Sequence, residues 1–176
     1  MADTQAPPLT VVHPGEGRAG ELGSVGVVFK LWGQDTGGAL SIVEHPFAVG
    51  ALVPPHLHTR EDEYSFILEG EWGFQLGEDI VYARPGDLVY KPRNVWHTFW
   101  NATDRPARLL EVISPSGFEY FFAEMSDLVD AQPPDIMERV AHLAADYGLQ
   151  LDFDSVPGLM AAHGLALPDV PVAAAS

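Results

Sequence analysis

From residue 25 to residue 114 the chain reads as short runs of β-branched, aromatic or alternating apolar residues, each closed by turn chemistry. Residues 25–32 (VGVVFKLW) predict a strand, and Gln34, Asp35, Thr36, Gly37 and Gly38 supply the turn before a second strand at 39–44. Past Glu63 the pattern predicts strands at 64–68, 71–76, 80–83, 88–91, 95–101 and 107–114. The breaks between them carry Gly70, Gly77, Pro85 with Gly86, Pro92 and Pro106. Short strands at that interval predict an antiparallel sandwich or barrel. From Phe118 the period changes to that of a helix. Phe118, Phe121, Phe122, Met125, Leu128 and Val129 form one stripe, and Ile136, Val140, Leu143, Ala144 and Tyr147 form a second that stops at Gly148. Ser155 can cap a third short helix ending at His163 and Gly164. The expected organisation is an N-terminal arm at 1–22, a β domain at 23–117, a helical extension at 118–164 and a flexible tail at 165–176.

Composition narrows the class. The chain has 176 residues, enough for one domain with a real core. Its 9 basic and 25 acidic residues give a formal charge of −16, which repels phosphate backbones and anionic lipids, so no nucleic-acid or membrane partner is expected. The absence of cysteine removes disulfides, thiolate metal sites and cysteine nucleophiles together. With neither a signal-like N-terminus nor a long apolar run, the expected location is cytoplasmic.

The chemistry concentrates in residues 50–70, GALVPPHLHTREDEYSFILEG. Side chains two apart in a strand share a face, so His56 and His58 present two imidazoles to one side. A carboxylate from Glu61, Asp62 or Glu63 can complete one face of a divalent transition ion such as Fe, Mn, Co, Ni or Zn. A further candidate ligand, His97, is the only histidine of residues 86–101, GDLVYKPRNVWHTFWN.

These two stretches resemble the paired motifs of the cupin superfamily. The first has Gly50, His56-x-His58, Glu63 and Gly70 at the family spacing. The second has Gly86, Pro92, His97 and Asn101, and departs only at Asn94, where the family has glycine. Asn tolerates a left-handed backbone better than most residues, so the turn is expected to survive. The resemblance implies a jelly-roll β-barrel with a metal held by His56, His58, Glu63 and His97, which selects Glu63 among the three acids. Glu61 and Asp62 are then expected in an exposed turn. The tail, FEYFFAE followed by PPD and a YGL helix end, is similar to that of single-domain quercetin dioxygenase-like cupins. That implies dioxygenase cleavage of a hydroxylated aromatic or enolic small molecule, with Glu63 doubling as a general base. The alternatives are a metal-dependent isomerase or cyclase acting on a sugar or polyketide, and a small-molecule-binding cupin without turnover.

Parity extends the reading. With Glu63 and His97 inward, Tyr64, Phe66, Leu68, Trp96, Thr98 and Trp100 face outward, and so apolar a face needs cover; a second copy in a homodimer, as the cupin resemblance implies, is expected, with cover by another sheet or the helices as the alternative. Ile67, Trp72, Phe74, Val95 and Phe99 are the expected pocket walls for a phenolic substrate. Outside the motifs, His13, His142, His163 and Arg60 read as structural or solvated, and His45, without a partner at ligand spacing, stays out of the site.

Overall fold

In a computed structural model that describes residues 10–165, the first strands are β1 (Arg18–Glu21), β2 (Gly26–Leu31), β3 (Ser41–Phe47), β4 (Leu52–His58), β5 (Asp62–Glu69) and β6 (Trp72–Leu76). They continue as β7 (Asp79–Ala83), β8 (Leu88–Lys91), β9 (His97–Asn101) and β10 (Ala107–Ser114). Helices α1 (Glu119–Ala131) and α2 (Ile136–Asp146) follow, then strand β11 (Leu149–Leu151) and helix α3 (Val156–His163). One sheet runs β1-β2-β3-β10-β5-β8 and the other β11-β4-β9-β6-β7. The two face each other as a jelly roll, and Phe47, Ile67 and Leu109 of the first meet Trp72, Phe74 and Phe99 of the second in one core.

Register arranges the inward side chains of the first sheet in rows. Ser41, Ile113, Glu63 and Lys91 stand abreast on β3, β10, β5 and β8. Two residues along stand Val43, Glu111, Ser65 and Val89, and two further His45, Leu109 and Ile67. The rows therefore run from charged at the Glu63 end to apolar at the Phe47 end. A second core, built from Val27, Phe29, Ile113, Phe118, Phe121 and Leu143 among others, fixes α1 and α2 against the sheets.

Two strands lie where periodicity gave no signal. β1 falls inside the segment expected to be a loose arm and pairs with β2, and β11 falls inside the helical extension and pairs with β4 from Leu149 opposite His58 to Leu151 opposite His56. With four and three residues, β1 and β11 are too short to stand out from the glycine-rich and helical sequence around them. Apart from Leu165, the expected tail lies outside the described residues.

The outward apolar face divides in two. Trp100 is 1% exposed, because α3 covers it and His163 stacks on the indole with ring centroids 4.1 Å apart. Thr98 is buried beside it. On the other sheet Phe66 stays exposed, together with Leu88 and Tyr90 of the edge strand β8, and Tyr64 stacks on Tyr90 at 5.0 Å. Helix α3 thus covers Trp100 while Trp96 stays exposed, and the outer face around Phe66 is left bare. Gly73 lies under the Trp100 ring, where any Cβ would collide with the indole. Replacing Gly73 with Ala is expected to lower unfolding free energy by about 1–3 kcal/mol through overpacking, measured by denaturant titration.

Candidate metal centre

His56 and His58 come from the end of β4, Glu63 from the start of β5 and His97 from the start of β9, so a single turn and one cross-strand pair, His56 opposite His97, assemble the group. All four are buried, and one potential ligand atom from each lies within 4.8 Å of the others. The turn that sets His97 depends on Asn94, which adopts φ 63° where the motif favours glycine and donates its backbone N–H to the His58 carbonyl at 2.7 Å. The departure at Asn94 leaves the turn intact. Asn101 serves as a staple, its side-chain amide bonding the carbonyls of Ala48 and Arg105.

Protons identify the free lone pairs. A carbonyl can only accept, so His56 Nδ1 donates to Pro54 at 2.8 Å and His97 Nδ1 donates to Val95 at 3.0 Å. In the neutral rings each Nε2 is then an unprotonated lone pair. His97 Nε2 nevertheless lies 3.2 Å from Glu63 Oε2, and His58 Nε2 lies 3.4 Å from Glu63 Oε1. Lone pairs facing a carboxylate at that range repel unless a proton or a metal cation lies between them. Both ring nitrogens of His58 also lack a hydrogen-bond partner among the described residues, although buried. The donor set, neutral nitrogens with one carboxylate, fits a divalent transition ion.

Burial and charge prepare the ligands in opposite senses. Burial, reinforced by the neighbouring imidazoles, holds His56 well below the ordinary range, and burial also lowers His97, so both are neutral and ready to ligate. Burial alone would raise Glu63, but the nearness of His58, the Lys91 ammonium and the contact with His97 hold it well below the usual carboxylate range. Lys91, 1% exposed, makes ion pairs with Glu63 at 3.0 Å and Glu111 at 2.9 Å, while Ser65 donates to Glu111 and the ammonium lies 4.2 Å from the Phe99 ring centre. Neither Lys91 nor Glu111 was singled out from the sequence. A charged residue at an inward position of the alternating ARLLEVIS strand is the signal that marks Glu111.

The three acids of the turn part company. Glu63 joins the cluster, and Asp62 turns outward to pair with the Arg93 guanidinium at 2.8 Å. Glu61, expected in an exposed turn, is instead 5% exposed, with Oε2 3.7 Å from His58 Nδ1 and no hydrogen-bond partner among the described residues. Burying it beside the imidazole keeps an acceptor for the Nδ1–H that ligation at Nε2 demands. Arg60 is exposed as expected.

A cavity of about 450 Å³ opens onto this group. His56, His58, Glu63 and Glu111 lie on its wall, Phe99 separates them from the core, and the side chains Phe118, Phe121, Phe122 and Met125 of the α1 region roof it. Phe118 stands edge-on to His58 at 4.3 Å, which keeps water from that ring. Of the five expected walls only Phe99 lines the cavity. Ile67, Trp72 and Phe74 pack in the core below it, and the Val95 carbonyl instead orients His97. His45, left out on spacing grounds, is on the cavity wall.

Comparison with known proteins agrees with this geometry. Residues 44–113 match the cupin domain family. A germin-like protein of Oryza sativa subsp. japonica is 34% identical over 92 residues, 49% of this chain and 41% of the relative. The chain spans about half the length of the curated germin-like relatives it matches, or less. Among solved structures, that of a predicted oxalate decarboxylase from Thermotoga maritima superposes with a TM-score of 0.57 at 21% identity, covering 60% of this chain and 99% of that one. An RmlC-like cupin from Shewanella frigidimarina superposes at 0.54 with 20% identity, covering 65% and 99%. Sequence and fold together support the cupin superfamily. Among the described residues no helix is long and apolar enough to cross a membrane.

Replacing Glu61 with Ala is expected to weaken divalent-metal affinity about 10–100-fold, with Glu61→Gln intermediate, in competition with a chelator. An unchanged affinity would remove Glu61 from the site. The lowered histidines make a second expectation. His45, pushed down to about 4 by burial, joins His56 and His97 in binding protons less readily folded than unfolded. Stability from these rings is complete above the ordinary 6.5 and is lost as pH falls from there toward the folded values. Glu111, raised to about 7 by burial, acts oppositely between 4.5 and 7, but is one group against three. The melting temperature of metal-free protein should fall from pH 6.5 to pH 4, and a flat profile would contradict the burial argument.

Proposed function

We propose that this chain is a metal-dependent dioxygenase that cleaves a hydroxylated aromatic or enolic small molecule. The observation that supports it is the junction of two unlike surfaces, an apolar chamber of about 450 Å³ and a buried set of three imidazoles and one carboxylate. A bound redox-active ion would supply Lewis acidity and electron transfer to dioxygen. The residues do the rest. Phe99 and Phe118 offer faces and edges to a flat ring, and the roof from the α1 region excludes water from the reacting centre.

Glu63 has two distinct oxygens. Oε2 is committed to Lys91 and His97, whereas Oε1 has only His58 Nε2 near it at 3.4 Å. Oε1 is therefore the oxygen placed to take the proton from a ligand hydroxyl when the carboxylate loosens from the metal, with Lys91 steadying the other oxygen. The transfer leaves the net charge of the site unchanged, because the new oxyanion replaces the negative charge that Glu63 loses beside Lys91.

The test begins with metal content by mass spectrometry on protein purified without an affinity tag, followed by oxygen uptake with a flavonol and catechol panel. One Fe, Mn, Co or Ni per chain with uptake supports the reading. Metal with turnover under nitrogen would replace it with the isomerase or cyclase reading, and metal with ligand binding but no turnover would replace it with the binding reading. His58→Ala and His97→Ala are expected to lose stoichiometric metal while keeping a β-rich circular dichroism spectrum.

A further inference from the structure

Apart from His56, His58 and Glu63, the chamber wall carries few polar side chains, and two of them are charged or aromatic: Glu111 and His45. Glu111 is already engaged by Lys91 and Ser65. His45 is different. It is 3% exposed, it stands on β3 two inward rows away from the row of Glu63, and its Nδ1 lies 2.9 Å from the Gly26 carbonyl of β2. That carbonyl fixes the ring proton on Nδ1, and ring geometry then aims the Nε2 lone pair away from β2. Burial keeps the imidazole neutral, and Phe122 packs edge-on against it at 5.0 Å, which restricts its rotation. A neutral, oriented acceptor in an apolar wall, outside the metal-ligand group, has no structural bond to make through Nε2.

We propose that His45 is a specificity-determining residue whose Nε2 accepts a hydrogen bond from a hydroxyl at the end of the ligand remote from His56, His58, Glu63 and His97. This rests on the reading of the chamber as a site for a hydroxylated aromatic and adds what the far end of that molecule must carry. A donor there is satisfied. An ether or bare ring edge leaves the acceptor unpaired, and a carboxylate meets two acceptors, His45 and Glu111, with the Lys91 ammonium already held by Glu111 and Glu63. The selected class is an elongated, flat, mostly apolar molecule with an oxygen chelate at one end and a neutral hydroxyl at the other.

A matched pair tests this: kaempferol, and galangin, which lacks the hydroxyl on the outer ring. Binding to metal-loaded protein is measured under nitrogen by fluorescence titration, so no turnover is needed. The wild-type chain should bind kaempferol about tenfold more tightly than galangin, the worth of one satisfied buried hydrogen bond. His45→Phe should abolish or reverse that preference while keeping affinity for galangin, and His45→Gln, which retains an acceptor, should keep part of it. Absence of preference in the wild-type chain overturns the proposal without any variant, as does a preference that His45→Phe leaves intact. If neither flavonol binds the wild-type chain, the hydroxylated-aromatic reading itself fails, an outcome distinct from binding that ignores His45.

Discussion

Glu63 is an anion held out of water among lone pairs, and much of the interior serves to make that tolerable. An unpaired carboxylate in such a place would cost several kcal/mol and escape by protonation. Lys91 prevents this by standing beside it in the same row and sharing its ammonium with Glu111, which Ser65 in turn holds. Removing one member of such a network strands the other as an uncompensated buried charge, at about 3–5 kcal/mol, so the carboxylate is fixed in place and in charge. The imidazoles depend on the same constraint from the other side. With Nδ1 of His56 and His97 tied to backbone carbonyls, the neutral rings turn lone pairs toward Glu63, and a proton or a metal cation must offset the repulsion.

The apolar roof completes the electrostatics. Charges and lone pairs act strongly only where water is excluded. Phe118 against His58 and the α1 side chains over the cavity supply that exclusion. The helices thus do more than cover the sheet. They keep water from the surroundings of Glu63 and His45, on which the roles proposed for Glu63 Oε1 and for His45 Nε2 depend.

How much of this was legible in the sequence varied with the range of the interaction. The ligand group was legible because it rests on local rules: His56 and His58 share a face by strand parity, and the motif offsets select Glu63 and His97. The β10 strand, with its strict alternation, coincides with its expected bounds at 107–114. What escaped depends on pairing between distant strands. His45 acquires its role from a Gly26 carbonyl that only the β2–β3 alignment brings near, and Lys91 and Glu111 meet because β8 and β10 flank β5. Glu61 escaped for another reason: flanked by Arg60 and Asp62 it reads as a solvated turn, and only the orphaned His58 nitrogen shows why it is buried. Burial of Trp100 under α3 also had little sequence signal, since α3 lacks an apolar stripe to announce it.

The division of labour along the chain bears on what its relatives can teach. The family match ends at residue 113, after the last strand that carries a ligand or its supporting network. The roof, from Phe118 through Val140 and Leu149 to Pro157, lies wholly beyond it. The matched segment carries the candidate ligands and part of the chamber wall, including His45, Phe47 and Phe99, and the helical extension closes the chamber over them. His45, the residue proposed to read the far end of the ligand, sits inside the matched segment but is given its orientation by Gly26, outside it. The candidate metal ligands and most of the chamber's roof thus lie in different stretches of the chain, which is why a clear motif can accompany an unfamiliar pocket.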